Sequence, residues 1–249
     1  MRPLTSIGII GNGAFGALTA TLIKKYAPHI TVRIFSSRRE PDNTTFFSFE
    51  DAAQCDAVVL CTPISTFTET LIRVVAYARP DTVIVDVSTV KMHTAMALER
   101  YAAGRPYLAT HPMFGPESYR KKGERVDGFR IVIAKHTLPA GEYDALRIFL
   151  EQCGFVIIEK TPEQHDRELA ETLFLTHLVG QTIARAGFTR TNIDTVSFGF
   201  LMDAVESVKN DTALFTDVYH FNPFCQETLT RFTLAEQAVR TLLEKPPLK

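Results

Sequence analysis

The sequence predicts an α/β chain, with an N-terminal doubly wound parallel sheet over residues 1–160 and an all-helical C-terminal domain over 161–249. Three observations carry this expectation. Short apolar runs rich in β-branched residues recur between residues 7 and 158, with amphipathic stretches between them. A glycine-rich turn links the first run to the first amphipathic stretch, and after Lys160 only helical spacing remains. Apolar runs without a polar face belong to strands covered on both sides, as parallel strands joined by helices are.

In chain order, residues 7–10 read as a buried strand, 14–26 as a helix and 31–35 as a second strand. Residues 57–61 and 82–86 form the third and fourth strands, and between them Ile64, Phe67, Leu71, Val74 and Val75 recur at helical spacing. Residues 107–110 and 130–133 extend the sheet, and 155–158 end it. Thr161-Pro162-Glu163-Gln164 combines an N-cap, a first-turn proline and a Gln three residues on, which is a capping box. Leu169, Leu173, Leu175, Val179 and Ile183 then carry one helix to about Ala186, a spine ~40 Å long at ~1.5 Å per residue. Residues 198–208 and 228–243 read as further helices.

Composition narrows function by exclusion. The chain has 45% apolar and 22% charged residues, both ordinary for a globular fold. Its 27 Lys and Arg against 28 Asp and Glu leave a formal charge of −1, which argues against nucleic acid as the main partner. No apolar run reaches the ~18 residues of a membrane-spanning helix. Residues 1–5 lead straight into a strand without the apolar core of a signal peptide. Cys55, Cys61, Cys153 and Cys225 are scattered, with no CxxC pair and no His at zinc-ligand spacing. A reduced, metal-free, cytoplasmic protein is expected.

Gly11-Asn12-Gly13-Ala14-Phe15-Gly16 follows the first strand and opens the first helix, the context that turns G-x-G-x-x-G into a Rossmann-type dinucleotide loop. The first glycine permits the tight turn, and the second lets backbone approach a pyrophosphate lying on the helix N-terminus. Ala14 and Phe15 lie within that loop, and Thr62 follows the third strand and completes the expected cofactor set. The end of the second strand selects the dinucleotide. An NAD site places an acid there, but this chain has Ser36-Ser37-Arg38-Arg39 and no acid before Glu40. Hydroxyls and guanidiniums suit a 2′-phosphate that a carboxylate would repel, so NADP is expected in preference to NAD.

Two further segments stand where open α/β sheets bind ligands, at the C-terminal ends of strands. Asp86-Val87-Ser88-Thr89-Val90-Lys91 leaves the fourth strand for a helix, and Thr110-His111-Pro112-Met113-Phe114-Gly115-Pro116-Glu117 delivers a His followed by a loop stiffened by two prolines. With these in order, the chain resembles the prephenate/arogenate dehydrogenase family of tyrosine biosynthesis. The resemblance rests on the Gly11 loop, the Asp86 to Lys91 segment, the His-Pro-Met-Phe-Gly-Pro-Glu run from His111, Gln164-His165-Asp166 for the family's Glu-His-Asp, and Thr176-His177-x-x-Gly180. It runs through most of the chain, to about Asn222-Pro223.

The resemblance implies oxidative decarboxylation of a cyclohexadienol that carries a ring carboxylate and a 4-hydroxyl. In these roles His111 accepts the hydroxyl proton and Thr89 positions that His or the nicotinamide. Lys91 holds a carboxylate or the cofactor, and His177 with Thr176 binds substrate across an interdomain cleft. Gln164-His165-Asp166 reads instead as helix capping and packing, and Arg120, Lys121, Lys122 and Arg125 as a solvated loop. Many prephenate-preferring relatives carry a Thr-Arg pair in the late helix. Residues 203–211 here have no Arg and instead offer Glu206 and Asp211, and the stretch resembles more the plant-type arogenate dehydrogenases, which also favour NADP. An acid suits arogenate's α-ammonium. A homodimer through the helical domain is also implied. Another NADP oxidoreductase of the same two-domain plan (a β-hydroxyacid dehydrogenase or an imine reductase) and a non-catalytic NADP sensor stay open as alternatives.

Overall fold

The computed structural model describes residues 4–245, so the ends of the two expected domains, 1–3 and 246–249, lie outside the described residues. Its contacts divide the chain into a unit ending at His165 and a second beginning at Asp166.

The first unit is built on a seven-stranded sheet in the order β2-β1-β3-β4-β5-β6-β7. Its strands are β1 (Ser6–Ile10), β2 (Thr31–Phe35), β3 (Ala57–Leu60), β4 (Val83–Asp86), β5 (Tyr107–Pro112), β6 (Arg130–His136) and β7 (Val156–Glu159). Its helices are α1 (Ala14–Tyr26), α2 (Phe49–Ala53), α3 (Phe67–Tyr77), α4 (Lys91–Tyr101), α5 (Pro116–Lys121) and α6 (Ala140–Gln152). Alternation along β3 shows why the sheet is wound on both sides. Val58 and Leu60 pack with Phe67, Leu71 and Leu98 of α3 and α4, while Ala57 and Val59 pack with Ala20 of α1. Successive strand side chains point to opposite faces, so a run buried at every position needs cover on both.

The expectation of a parallel sheet holds from β2 through β5 and is corrected at β6, which runs antiparallel to β5. The chain leaves β5, makes the short helix α5 and returns along the same edge, with Pro112 paired to Ile131 and the Met113 amide donating to the Arg130 carbonyl at 2.9 Å. No crossover carries it to the other end of the sheet, so the direction reverses. The register shifts opposite Ala109 and Thr110, where Ala134 of β6 is the extra, unpaired residue.

Helix α7 (Pro162–Leu169) begins at the expected capping box. The Thr161 amide donates to Gln164 Oε1 at 3.0 Å, and the Gln164 amide donates to Thr161 Oγ1 at 3.1 Å. The single helix expected to Ala186 is instead α7, a five-residue π-helical stretch (Ala170–Phe174) and α8 (Leu175–Arg185).

The second unit adds α9 (Val196–Val208), α10 (Thr212–Phe221) and α11 (Cys225–Leu243). Gly180 explains how closely α8 and α9 pack, because a Cβ there would lie 2.4 Å from Val208 Cγ2. Helix α10 lacks a counterpart in the sequence reading; it is ten residues long and only Val218 in it is buried. No helix among the described residues is long and apolar enough to cross a membrane.

Candidate active site

The dinucleotide loop has the shape its sequence requires. Gly11 has a φ of +107°, and a Cβ on it would meet the Cys61 carbonyl at 2.4 Å. A Cβ on Gly16 would meet the Gly11 carbonyl at 2.1 Å, whereas Gly13 faces open space. Gly13 caps α1 without a side-chain hydrogen bond, and no acidic residue stands in the first turn. Amides, a positive helix end and an open approach make a phosphate cradle. Two buried hydroxyls at the same strand ends, Thr62 Oγ1 after β3 and Ser88 Oγ after β4, have no hydrogen-bond partner in the protein. Buried polar atoms without partners are costly, and a polar ligand at this edge would satisfy them. The residues present therefore fit a dinucleotide.

At the end of β2, Ser36 is buried and its Oγ accepts from the Arg38 amide at 3.3 Å. Ser37, Arg38 and Arg39 are exposed, and the Arg39 guanidinium lies 5.9 Å from the Phe46 ring centre.

The next edge is organised around a buried charge pair. Lys91, at the start of α4, is completely buried, and its ammonium donates to the Asp86 carboxylate and to the Thr110 carbonyl. Asp86 also accepts from the Ser88 amide at 2.7 Å, and Thr110 Oγ1 donates to the Asp86 carbonyl at 2.7 Å. The network ties the end of β4, the start of α4 and the end of β5 together immediately before His111. Lys91, read in sequence as a carboxylate or cofactor ligand, has protein partners for its ammonium; it fixes the frame around the His. Thr89 is half-buried in the same turn.

His111 projects from the end of β5, beyond the residues that pair with β4, and is buried. Burial, then the neighbouring His165 ring and the Lys91 ammonium, push its pKa well below 6.5, so the imidazole is neutral at neutral pH. Its Nδ1 lies 2.9 Å from Nε2 of His165, the fourth residue of α7. Sequence reading gave Gln164-His165-Asp166 a capping and packing role. The cap is there, and the His165 ring also contacts His111. A His fifty-four residues along the chain carries no local signal of that contact, and only the family motif pointed to it.

The loop after His111 is held by stacking. Phe114 stacks on Phe129 at 4.8 Å and on Phe155 at 5.7 Å, and lies 6.3 Å from Phe15 of the dinucleotide loop. The basic residues beyond it are engaged at the surface. Lys121 pairs with Glu117 at 2.7 Å, Arg125 pairs with Asp127 at 2.9 Å, and Lys122 lies over the Phe129 ring.

In the helical unit His177 is buried on α8 and stacked against Phe215 of α10, with ring centres 6.0 Å apart. Burial lowers its pKa, and Asp211 partly opposes that shift. Its Nδ1 is buried without a hydrogen-bond partner. Thr176 is exposed and donates its hydroxyl back to the Thr172 carbonyl at 2.9 Å. Glu206 is exposed and pairs with Lys209 at 2.7 Å, whereas Asp211 stands at the N-terminus of α10 within electrostatic reach of His177. The two candidate acids therefore differ in setting.

Comparison with known proteins adds independent findings. Residues 41–138 match the family described as prephenate dehydrogenase, nucleotide-binding domain, and residues 182–247 match a TYRAAT1-like C-terminal domain. The chain is 30% identical over 248 residues to arogenate dehydrogenase 2, chloroplastic, of Arabidopsis thaliana, covering 94% of this chain and 68% of that one. It is 29% identical to arogenate dehydrogenase 1, chloroplastic, of the same plant, over 96% of this chain and 39% of that longer one. In fold it resembles prephenate dehydrogenase from Aquifex aeolicus, solved with hydroxyphenyl propionate and NAD+, with a TM-score of 0.74 at 17% identity over 97% of this chain and 91% of that one.

Proposed function

The chain belongs to the prephenate/arogenate dehydrogenase family, and on that premise we propose that it oxidatively decarboxylates arogenate in preference to prephenate, with NADP as cofactor. The observation that carries this reading is His111, a neutral buried imidazole at the ligand edge of a dinucleotide-binding sheet. When bound, NADP supplies the hydride acceptor. Gly11, Gly13, Ala14, Phe15 and Gly16 would hold its pyrophosphate, Thr62 and Ser88 offer unsatisfied hydroxyls, and Ser36, Ser37, Arg38 and Arg39 would hold the 2′-phosphate. No carboxylate precedes Glu40 at that strand end, which is the ground for preferring NADP.

His111 takes the proton of the substrate's 4-hydroxyl as C4 loses hydride, and Thr89 positions that imidazole or the ring it faces. The ring carboxylate then leaves as carbon dioxide and the ring becomes aromatic, giving tyrosine from arogenate or 4-hydroxyphenylpyruvate from prephenate. His177, Thr176 and Asp211 supply polar contacts to the substrate. Of the two acids, Asp211 is the better reader of the α-ammonium, since Glu206 already has Lys209. Large apolar side chains stand exposed in the helical unit, among them Ile193 at 85%, Val196 at 76% and Phe200 at 71%. A second copy of the chain would cover such a surface. Four unpaired cysteines fit a reducing compartment, the cytoplasm being the expected one.

The test is NADPH formation with NADP and either substrate, comparing wild type with Asp211→Asn and Glu206→Gln. Arogenate turnover that Asp211→Asn weakens and Glu206→Gln leaves alone is expected. Faster turnover of prephenate would overturn the preference, and no turnover of either substrate would overturn the reaction.

A further inference from the structure

Two imidazoles in contact pose a question that the reaction has to answer. His111 Nδ1 and His165 Nε2 are 2.9 Å apart, with the rings at 74° and both side chains buried. A neutral imidazole has one N–H and one bare nitrogen, so a hydrogen bond between two ring nitrogens holds a single proton. If His111 Nδ1 holds it, His111 Nε2 is bare and able to accept a proton. If His165 Nε2 holds it, His111 Nε2 must itself carry a hydrogen and is useless as a base.

The start of α7 fixes where His165 stands. Thr161 and Gln164 close the capping box, and the His165 amide donates to the Thr161 carbonyl at 3.0 Å. The ring therefore comes from a braced first turn, and its position relative to β5 is set by backbone. The Lys91 ammonium of α4 also acts on His111, and it is paired with Asp86 of β4. That pair is already balanced. A carboxylate at the position of His165 would add an unbalanced negative charge and favour an imidazolium. A bare ring nitrogen accepts the Nδ1–H without adding that charge.

We propose that His165 is a positioning residue for the oxidation described above, accepting the Nδ1–H of His111 so that His111 Nε2 is left bare as the base. When the substrate's O–H bond breaks, its proton goes to His111 Nε2 and its electron pair forms the carbonyl as hydride leaves C4. The positive charge then arising on His111 is spread onto the His165 ring through the hydrogen bond.

The substrate chemistry rests on the dehydrogenase reading, but the tautomer does not, so two measurements separate them. In the free protein, nitrogen NMR of labelled His should show His111 with a protonated Nδ1 and a bare Nε2; the opposite tautomer would overturn the proposal. In turnover, His165→Leu should lower kcat by roughly 10–100-fold, the scale of losing a partner that orients a ring nitrogen, with KM for NADP unchanged. His165→Gln places an amide oxygen near the former Nε2. It should restore most of kcat. Unchanged kcat in His165→Leu, or equal losses in Leu and Gln, would reduce His165 to packing. If His165→Leu fails to fold, His165→Gln and the NMR measurement decide. Wild type inactive on both substrates would retire the reaction and leave the tautomer measurement standing.

Discussion

Replacing Lys91 by Met removes the ammonium around which the edge of β4 and β5 is built. Lys91 and Asp86 are both 0% exposed, and the ammonium bridges the Asp86 carboxylate and the Thr110 carbonyl. In Lys91→Met the Asp86 carboxylate keeps only the Ser88 amide, and a buried charge stripped of its partner costs about 3–5 kcal/mol. A chain of this size loses about 2–4 °C of Tm per kcal/mol, so the sheet unit should melt about 6–20 °C lower. The chain has no Trp, so far-UV circular dichroism during heating and urea titration is the suitable readout. Asp86→Asn/Lys91→Met, which buries no unpaired charge, should be more stable than Lys91→Met alone. The variant also tests the electrostatics of His111. The ammonium is one of the causes that lower the His111 pKa; without it that pKa rises, and the acid limb of turnover shifts to higher pH. A Lys91→Met chain melting with wild type, or a double variant weaker than the single, would falsify the structural role assigned to the pair.

Three other outcomes are expected. Gly16→Ala should destabilise the chain, because its Cβ would meet the Gly11 carbonyl at 2.1 Å, whereas Gly13→Ala, facing open space, should fold normally and lose NADP affinity measured by calorimetry. Replacing Arg38 and Arg39 together by Ala should cut the preference for NADP over NAD by about 10- to 1000-fold in kcat/KM, the worth of one or two charge-assisted hydrogen bonds; an unchanged ratio would place the 2′-phosphate elsewhere. Burial alone would raise the Asp56 pKa, but hydrogen bonds from Thr5, Arg79 and Ser6 outweigh it and hold the carboxyl well below its usual range. A pKa lowered by folding stabilises above the unfolded value of ~3.9 and is lost as pH falls through the folded one. Asp56→Asn should therefore cost roughly 1.5–3 kcal/mol near pH 7 in urea titration, with the difference shrinking toward pH 2.

How far the sequence reached differs from residue to residue. Helix α1 is found at the residues its periodicity predicted, Ala14–Tyr26, because a glycine loop and an amphipathic stripe are local signals. The capping box at Thr161 is equally local, and both of its hydrogen bonds form. Strand direction is different. Residues 130–133 read as a strand, but nothing within such a run says whether it enters the sheet parallel or antiparallel, and β6 reverses because the chain returns along the edge it left. The π-helical stretch at Ala170–Phe174 inserts into a pattern that reads as one straight helix, since apolar spacing does not distinguish i+4 from i+5 hydrogen bonding over a single turn.

The same division runs through the site. Sequence by itself determined the sheet-plus-helices plan, the glycine loop with its acid-free second strand, and the presence of His111 at a strand end, because each is written in neighbouring residues. Only the tertiary structure decided that Lys91 turns inward to Asp86 and that His165 meets His111. A lysine after a strand looks the same in sequence whether its ammonium reaches solvent or a carboxylate. It is burial, and the cost of an unpaired buried charge, that selects the ion pair. His165 comes within 2.9 Å of His111 because the end of β5 and the capped start of α7 converge across a 54-residue separation. A proton shared across that distance in sequence is a property of the folded chain alone.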